Sequence, residues 1–309
     1  MLEIAALMLP FFGLIAIGYI AARITRQPVE ALGWLNTFII YIALPALFFD
    51  LIISTPLDQL VRFDFIGLSL LATYCIFTLI FLTGLFLRKA SLREAAIQAY
   101  GGSYGNIGYM GPGIAIVALG EQAVAPVALI VCLENAAHFI TAPALMAVQG
   151  DRRSGLAIVA SVVRNVLTHP FIVAMIAGFV AALLEIRPYV PIQQLIDYLA
   201  QCAAPCALFA MGVTLALRPI KRVPAEIGYL VPAKLLLHPL LAYVILTSLG
   251  TFEPIWISAA VLLAALPTAT NVFVLAQQYG VWQERASATV VVTTATSLLT
   301  LPAILFWMR

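Results

Sequence analysis

Apolar residues fill the chain in long runs, and polar positions are confined to short gaps between the runs and a few isolated sites within them. Taking about 20 apolar residues to cross a bilayer, the runs predict ten membrane-spanning helices at 5–22, 33–53, 64–87, 95–119, 122–148, 158–185, 192–217, 227–249, 255–279 and 285–307. The gaps are too short for a separate soluble domain, and none is of low complexity. Two runs are interrupted. Tyr104-Gly105-Asn106-Ile107-Gly108-Tyr109-Met110-Gly111-Pro112 places three glycines, an amide and a proline inside the fourth, and Leu266-Pro267-Thr268-Ala269-Thr270-Asn271 breaks the ninth. Proline removes a backbone donor and clashes one turn back, while glycine lowers the cost of unwinding. Backbone opened at membrane depth is tolerated only inside protein or along a wet cavity. Two broken helices at matching places in two halves point to the binding site of a secondary transporter.

The halves repeat. Pro10-Phe11 is matched by Pro170-Phe171, and Ala43-Leu44-Pro45-Ala46-Leu47-Phe48 by Ala203-Ala204-Pro205-Cys206-Ala207-Leu208. Thr141-Ala142-Pro143-Ala144-Leu145 is echoed by Thr300-Leu301-Pro302-Ala303-Ile304. The offset stays near ~160 residues and carries the first break onto the second. The expected organisation is therefore a five-helix half over 1–149, a connector at 150–157 and a second half over 158–309. Five is odd, so the two halves are expected to be inverted relative to each other.

Composition sharpens this picture. The chain is 63% hydrophobic and 10% charged, against about 25% charged for a soluble domain, which makes it an all-α polytopic membrane protein. Its net charge of +2 gathers into no basic stripe for nucleic acid. Arg23, Arg26, Arg88, Lys89, Arg93, Arg152, Arg153, Arg164, Arg218, Lys221, Arg222 and Arg285 all fall on one side of the expected topology, and Arg62, Arg187 and Arg309 on the other. Loops rich in lysine and arginine stay in the cytoplasm, so both termini are expected outside and the 150–157 loop inside. Trp34, Trp256, Trp282 and Trp307 fall near span ends, where an aromatic belt would place them. Met1-Leu2-Glu3 lacks the basic start of a signal peptide, so the first run is expected to remain as a helix. Cys75, Cys132, Cys202 and Cys206 lie in apolar segments, match no zinc or redox spacing, and read as small buried hydrophobes. No phosphate-binding loop for ATP is present, and nothing in the pattern calls for a cofactor or a metal.

The chain resembles the auxin efflux carrier family over nearly its whole length. That family includes bacterial organic-anion permeases and the plant PIN-type exporters. The resemblance rests on Gly105-Asn106-Ile107-Gly108-Tyr109-Met110-Gly111-Pro112, on Leu133-Glu134-Asn135 and on Lys234-Leu235-Leu236-Leu237-His238-Pro239. It continues through Leu266-Pro267-Thr268-Ala269-Thr270-Asn271 to Ala276-Gln277-Gln278-Tyr279-Gly280. It implies a fold similar to that of bile-acid sodium symporters, with broken helices four and nine crossing at their prolines. Helices 1, 2, 6 and 7 would form a scaffold, and helices 3–5 and 8–10 a transport domain moving like an elevator. It also implies a bacterial inner-membrane protein, a homodimer through the scaffold, and Asn106 as a contributor to substrate binding. The long cytoplasmic insertion of many plant exporters is missing here, so their regulation through that loop is not carried over.

Around the breaks, Asn106, Asn271, Gly105, Tyr109, Pro112, Pro267, Thr268 and Thr270 are the candidate substrate-binding residues. An amide offers two donors and an acceptor, and half-helix N-termini favour anions; alternatively, both asparagines cap half-helices. Glu134 and Lys234 fall near mid-membrane, where an ionisable group is a functional candidate by default. They either neutralise each other as a pair or serve coupling and substrate charge. His138 and His238 lie four residues beyond them on the same faces, as relay or packing groups, and His169 reads as a packing residue near the cytoplasmic interface. Asp50 falls at a cavity mouth or simply at the interface. The leading expectation is a secondary carrier, not an enzyme, for a small organic anion such as malonate, malate or an aromatic carboxylate. Protons, sodium ions and the membrane potential stand as alternative driving forces. Two other classes fit parts of the pattern: a non-transporting sensor with a carrier fold, and an intramembrane metalloenzyme on Glu134, His138 and His238. The latter lacks a His-Glu-x-x-His spacing and leaves the repeat unexplained.

Overall fold

Among the described residues the fold consists of twelve helices and no named strand. The computed structural model describes residues 2–147, 160, 163–164, 167–217 and 223–308. The 150–157 connector and the basic residues Arg152, Arg153, Arg218, Lys221 and Arg222 lie outside the described residues. In chain order the helices are α1 (Leu2–Thr25), α2 (Glu30–Ser54), α3 (Leu57–Leu87), α4 (Leu92–Ser103), α5 (Gly111–Leu119) and α6 (Glu121–Met146). They continue as α7 (Pro170–Leu183), α8 (Val190–Leu217), α9 (Ile227–Leu249), α10 (Pro254–Ala265), α11 (Thr270–Gln278) and α12 (Gln283–Trp307). Six of them (α2, α3, α6, α8, α9 and α12) are long and apolar enough to cross a membrane by themselves. The runs at 95–119 and 255–279 are each two short helices, α4–α5 and α10–α11, parted where the glycines and prolines fall.

Local sequence sets the ends. Ser91 and Glu94 form a reciprocal capping box at the start of α4, and prolines occupy the first turn of α5, α7 and α10. Gly120, at φ +84°, turns the chain from α5 into α6 in a conformation that favours glycine. Several hydroxyls on α12 bond within their own apolar helix. Thr289, Thr293 and Thr294 each donate back to a carbonyl four residues earlier, at 2.7–2.8 Å.

The tightest seam joins α1 to α8. A Cβ added at Gly18 would stand 2.2 Å from the carbonyl oxygen of Phe209, and one at Gly212 would stand 2.0 Å from that of Ile15. Only hydrogen fits at either place, which is the close backbone approach that small residues give membrane helices. The main apolar core draws Phe11 and Ile15 from α1, Phe48 from α2, Ile114 from α5 and Leu208 from α8 into one cluster. A second cluster around Ile97, Tyr100 and Val272 packs α4 against α11.

Two expectations need correction. Trp34 and Trp307 are exposed near helix ends, but Trp256 and Trp282 are buried, Trp256 edge-on against Phe65 at 4.8 Å. Of the four cysteines only Cys132 is buried; Cys75 and Cys202 are exposed and Cys206 is intermediate, so small apolar side chains here also face outward. Asp50 is partly buried against α8. It accepts from Gln193 Nε2 at 2.9 Å, and the same amide donates to Asp197 at 2.7 Å.

Candidate functional site

The two breaks meet backbone to backbone. Asn106 N–H donates to the Pro267 carbonyl at 2.8 Å, Ala269 N–H donates to the Tyr104 carbonyl at 2.9 Å, and Gly105 and Thr268 form an antiparallel bridge. Groups that proline and glycine free in one helix are thus satisfied by the other, as buried backbone requires. Side chains complete the junction. Thr268 Oγ1 donates to the Gly101 carbonyl at 2.7 Å, filling an orphan at the end of α4, and Thr268 N–H donates to Thr293 Oγ1 at 3.1 Å. Tyr104 OH donates to Asn135 Oδ1 at 2.6 Å and accepts from Asn271 Nδ2 at 3.0 Å.

A cavity of about 760 Å³ opens beside this junction. Gly105, Asn106, Gly108, Tyr109, Thr270 and Asn271 line it from the breaks, Asn135 from α6, and Met211 and His169 from the opposite wall. No Lys, Arg, Asp or Glu is among the lining residues described. Dipoles take their place. Met110 N–H and Gly111 N–H already bond the Asn106 and Ile107 carbonyls at 3.1 Å, so helical bonding begins at Asn106, and the first N–H groups, including those of Gly108 and Tyr109, lack intrahelical acceptors. α11 begins at Thr270 in the same wall, again with no side-chain cap. Each helix start carries roughly half a positive charge. The Asn106 amide reaches only the Met211 thioether, at 3.7 Å, a weak acceptor. Neither asparagine caps its half-helix.

Behind the wall lies a buried polar chain. Lys234 Nζ donates to the Ala264 carbonyl at the end of α10 at 2.5 Å and lies 3.2 Å from His238 Nδ1. His238 Nε2 is 3.0 Å from Thr73 Oγ1, which donates to Glu134 Oε1 at 3.2 Å. His138 Nε2 is 3.5 Å from the same carboxylate oxygen, and its ring lies on Tyr104 with centroids 4.0 Å apart. Glu134, Lys234, His138, His238 and Thr73 are all buried. Two of them sit on π-helical turns, Ile130–Glu134 and Ala233–Leu237, irregularities that recur at functional sites.

The structure therefore sorts the candidates. Asn106, Asn271, Gly105, Tyr109 and Thr270 line the cavity together. Pro112, Pro267 and Thr268 do not: the carbonyl of Pro267 and the hydroxyl of Thr268 are spent holding the breaks to each other. Glu134 and Lys234 form no direct ion pair, because Thr73 and His238 stand between them. Among the described residues no three His, Cys, Asp or Glu side chains gather as a metal site. Sequence reasoning assigned no role to Thr73, Asn135 or Met211. Asn135 stood in the quoted Leu133-Glu134-Asn135 string and was the recoverable one; a lone threonine or methionine in an apolar helix gives no signal. His169 packs, as expected, against Phe139 and Phe171 with centroids 4.6 and 4.0 Å apart, and also reaches the cavity wall.

An all-helical membrane protein whose two opened helices meet beside a cavity belongs among the transport proteins rather than the enzymes. The chain is a member of the Membrane transport protein family, that of the auxin efflux carriers, which matches it over residues 4–305. It is 60% identical over 310 residues to a protein of Rhizobium meliloti (strain 1021) named "Putative malonate transporter", an alignment covering 100% of this chain and 97% of that relative.

Proposed function

We propose that the chain is a secondary active carrier of a small organic anion, with a malonate-like dicarboxylate as the first candidate. The observation that carries this reading is the cavity wall. Two asparagine amides and two helix starts converge on about 760 Å³ without a fixed side-chain charge of either sign. Donors and positive dipole ends recognise carboxylates, and the relative's name supplies the dicarboxylate class. A site of dipoles releases its ligand more readily than a buried salt bridge would, which suits a carrier that must let go on the far side.

The ~160-residue offset of the sequence pattern and the paired breaks support two inverted five-helix halves in a bile-acid-symporter-like fold. In this reading α1, α2, α7 and α8 are the scaffold, the remaining helices are the transport domain, and an elevator-type motion moves the cavity. The excess of Arg and Lys on one side supports an orientation with both termini outside, and the family resemblance supports a bacterial inner-membrane protein that pairs as a homodimer through the scaffold. The test is uptake of labelled malonate into proteoliposomes, with malate, aromatic acids and bile acids as competitors. Wild-type uptake that malonate saturates, and an Asn106→Ala variant that melts normally but binds at least several-fold more weakly, are the expected results. Unchanged affinity in that variant would remove Asn106 from the site; no flux of any acid would leave the sensor reading.

A further inference from the structure

We propose that the carrier moves a proton with its anion, and that Glu134 holds the proton while Lys234 serves as a fixed internal cation. This rests on the carrier reading and names its driving ion.

The hydrogen-bond directions follow from chemistry. With Lys234 held as an ammonium, which has donors only, its Nζ donates to His238 Nδ1, 3.2 Å away, as well as to the Ala264 carbonyl. His238 must then carry its proton on Nε2 and donate to Thr73 Oγ1, whose own hydrogen goes to Glu134 Oε1. Every donor points one way, and the chain ends on Glu134. The carboxylate is the one member able to accept a further proton without breaking this order. His138 faces it from the other side, Nε2 at 3.5 Å, with neither ring nitrogen hydrogen-bonded, and its ring lies on Tyr104 of the cavity wall. A proton reaching Glu134 from the cavity side thus has an imidazole in its path. The remaining titratable groups around this cluster are the phenols of Tyr74 and Tyr100, both bonded to Thr141 Oγ1, and of Tyr104.

One seat that a sodium ion could take is already filled. The carbonyl end of a half-helix is where transporters of this architecture coordinate a cation, and at α10 that end is taken by Lys234 Nζ. The same ammonium stands just behind the cavity wall, 3.3 Å from where a Cβ on Gly105 would be. With Glu134 ionised the two charges cancel. A proton on Glu134 leaves one uncompensated positive charge behind Gly105, and the anion in the cavity is drawn to it. Linkage makes this reciprocal: bound anion raises the proton affinity of Glu134, and a bound proton tightens the anion.

The experiment uses the full chain in liposomes loaded with a pH-sensitive dye. Counterflow of labelled malonate at equal pH reports on anion carriage alone. An acid-outside pulse, with the membrane potential clamped by potassium and valinomycin, then reports on coupling. Wild type is expected to accumulate malonate, to admit protons only when malonate is present, and to bind malonate more tightly on acidification, by roughly 5–150-fold in total. Glu134→Gln, which mimics the protonated state, is expected to keep counterflow, lose pH-driven accumulation and proton entry, and retain only the pH dependence of malonate's own titration. Wild type that ignores the pH gradient, or a Glu134→Gln protein that stays coupled, overturns the proposal. If that variant fails to fold, the wild-type arms decide. If no organic acid shows counterflow, the carrier reading falls by itself. Infrared difference spectra then decide the proton site: an acid-induced carboxyl band in wild type that Glu134→Gln lacks supports it, and no such band refutes it.

Discussion

Thr268→Val isolates what holds the two breaks together. Valine matches threonine in shape, so packing is kept and only the hydroxyl is lost. That hydroxyl donates to the Gly101 carbonyl at 2.7 Å, and no intrahelical donor can replace it, because the residue four positions on, Gly105, already lies in the break. Thr268 and Gly101 are both buried, so the carbonyl is left without water. An orphaned buried acceptor costs about 1–3 kcal/mol, which corresponds to roughly 1.5–5 °C in melting temperature for a chain of this length. Thr268→Ser keeps the hydroxyl and serves as the control for the lost methyl. Melting of the purified protein in one detergent, followed by malonate affinity in liposomes, should place valine well below serine in both. The affinity falls because Gly105 and Asn271, on the two sides of the junction, line one cavity. Valine melting together with serine and wild type would show that Gly101 finds another donor and that the junction does not depend on this bond.

Tyr104→Phe removes the hydroxyl shared by Asn135 at 2.6 Å and Asn271 at 3.0 Å; both amides then lose their common partner, and malonate affinity is expected to fall by more than the melting temperature explains, with equal affinity to wild type refuting an ordering role. Gly212→Val forces side-chain atoms where even a Cβ would stand 2.0 Å from the Ile15 carbonyl, so a loss of about 1–3 kcal/mol or more is expected as low monodisperse yield in size-exclusion chromatography. A normal yield and melt would mean that α1 and α8 can part at little cost.

The positions of the breaks were legible because glycine and proline act through local sterics that the sequence states outright: Gly105, Gly108, Pro112 and Pro267 mark them within a few residues. Which backbone groups those breaks would bond was not. Asn106 with Pro267 and Tyr104 with Ala269 are contacts across more than half the chain, and nothing in either string encodes its partner. That Glu134 and Lys234 lie far from the ends of their apolar runs was readable from the sequence, and both are buried. Their relation was not, because π turns rotate both off regular helical register and a threonine from α3 enters between them. The aromatic belt was half legible for a similar reason: closeness to a helix end does not say whether the side chain turns outward, as for Trp34, or inward, as for Trp256.

The reciprocal glycine contact between α1 and α8 bears on where the molecule is stiff. Two surfaces can slide past one another only if the contact has more than one comfortable resting place, so that side chains can leave one notch and settle in the next. Here there is one notch. Shift α8 by a single residue and Met211 or Val213 arrives where only a hydrogen fits against Ile15; shift α1 and Ile17 or Tyr19 meets the Phe209 backbone. The seam behaves as a rivet rather than a bearing. Any sliding between helices therefore falls elsewhere, along contacts made by flexible side chains such as that of Asn106 with Met211.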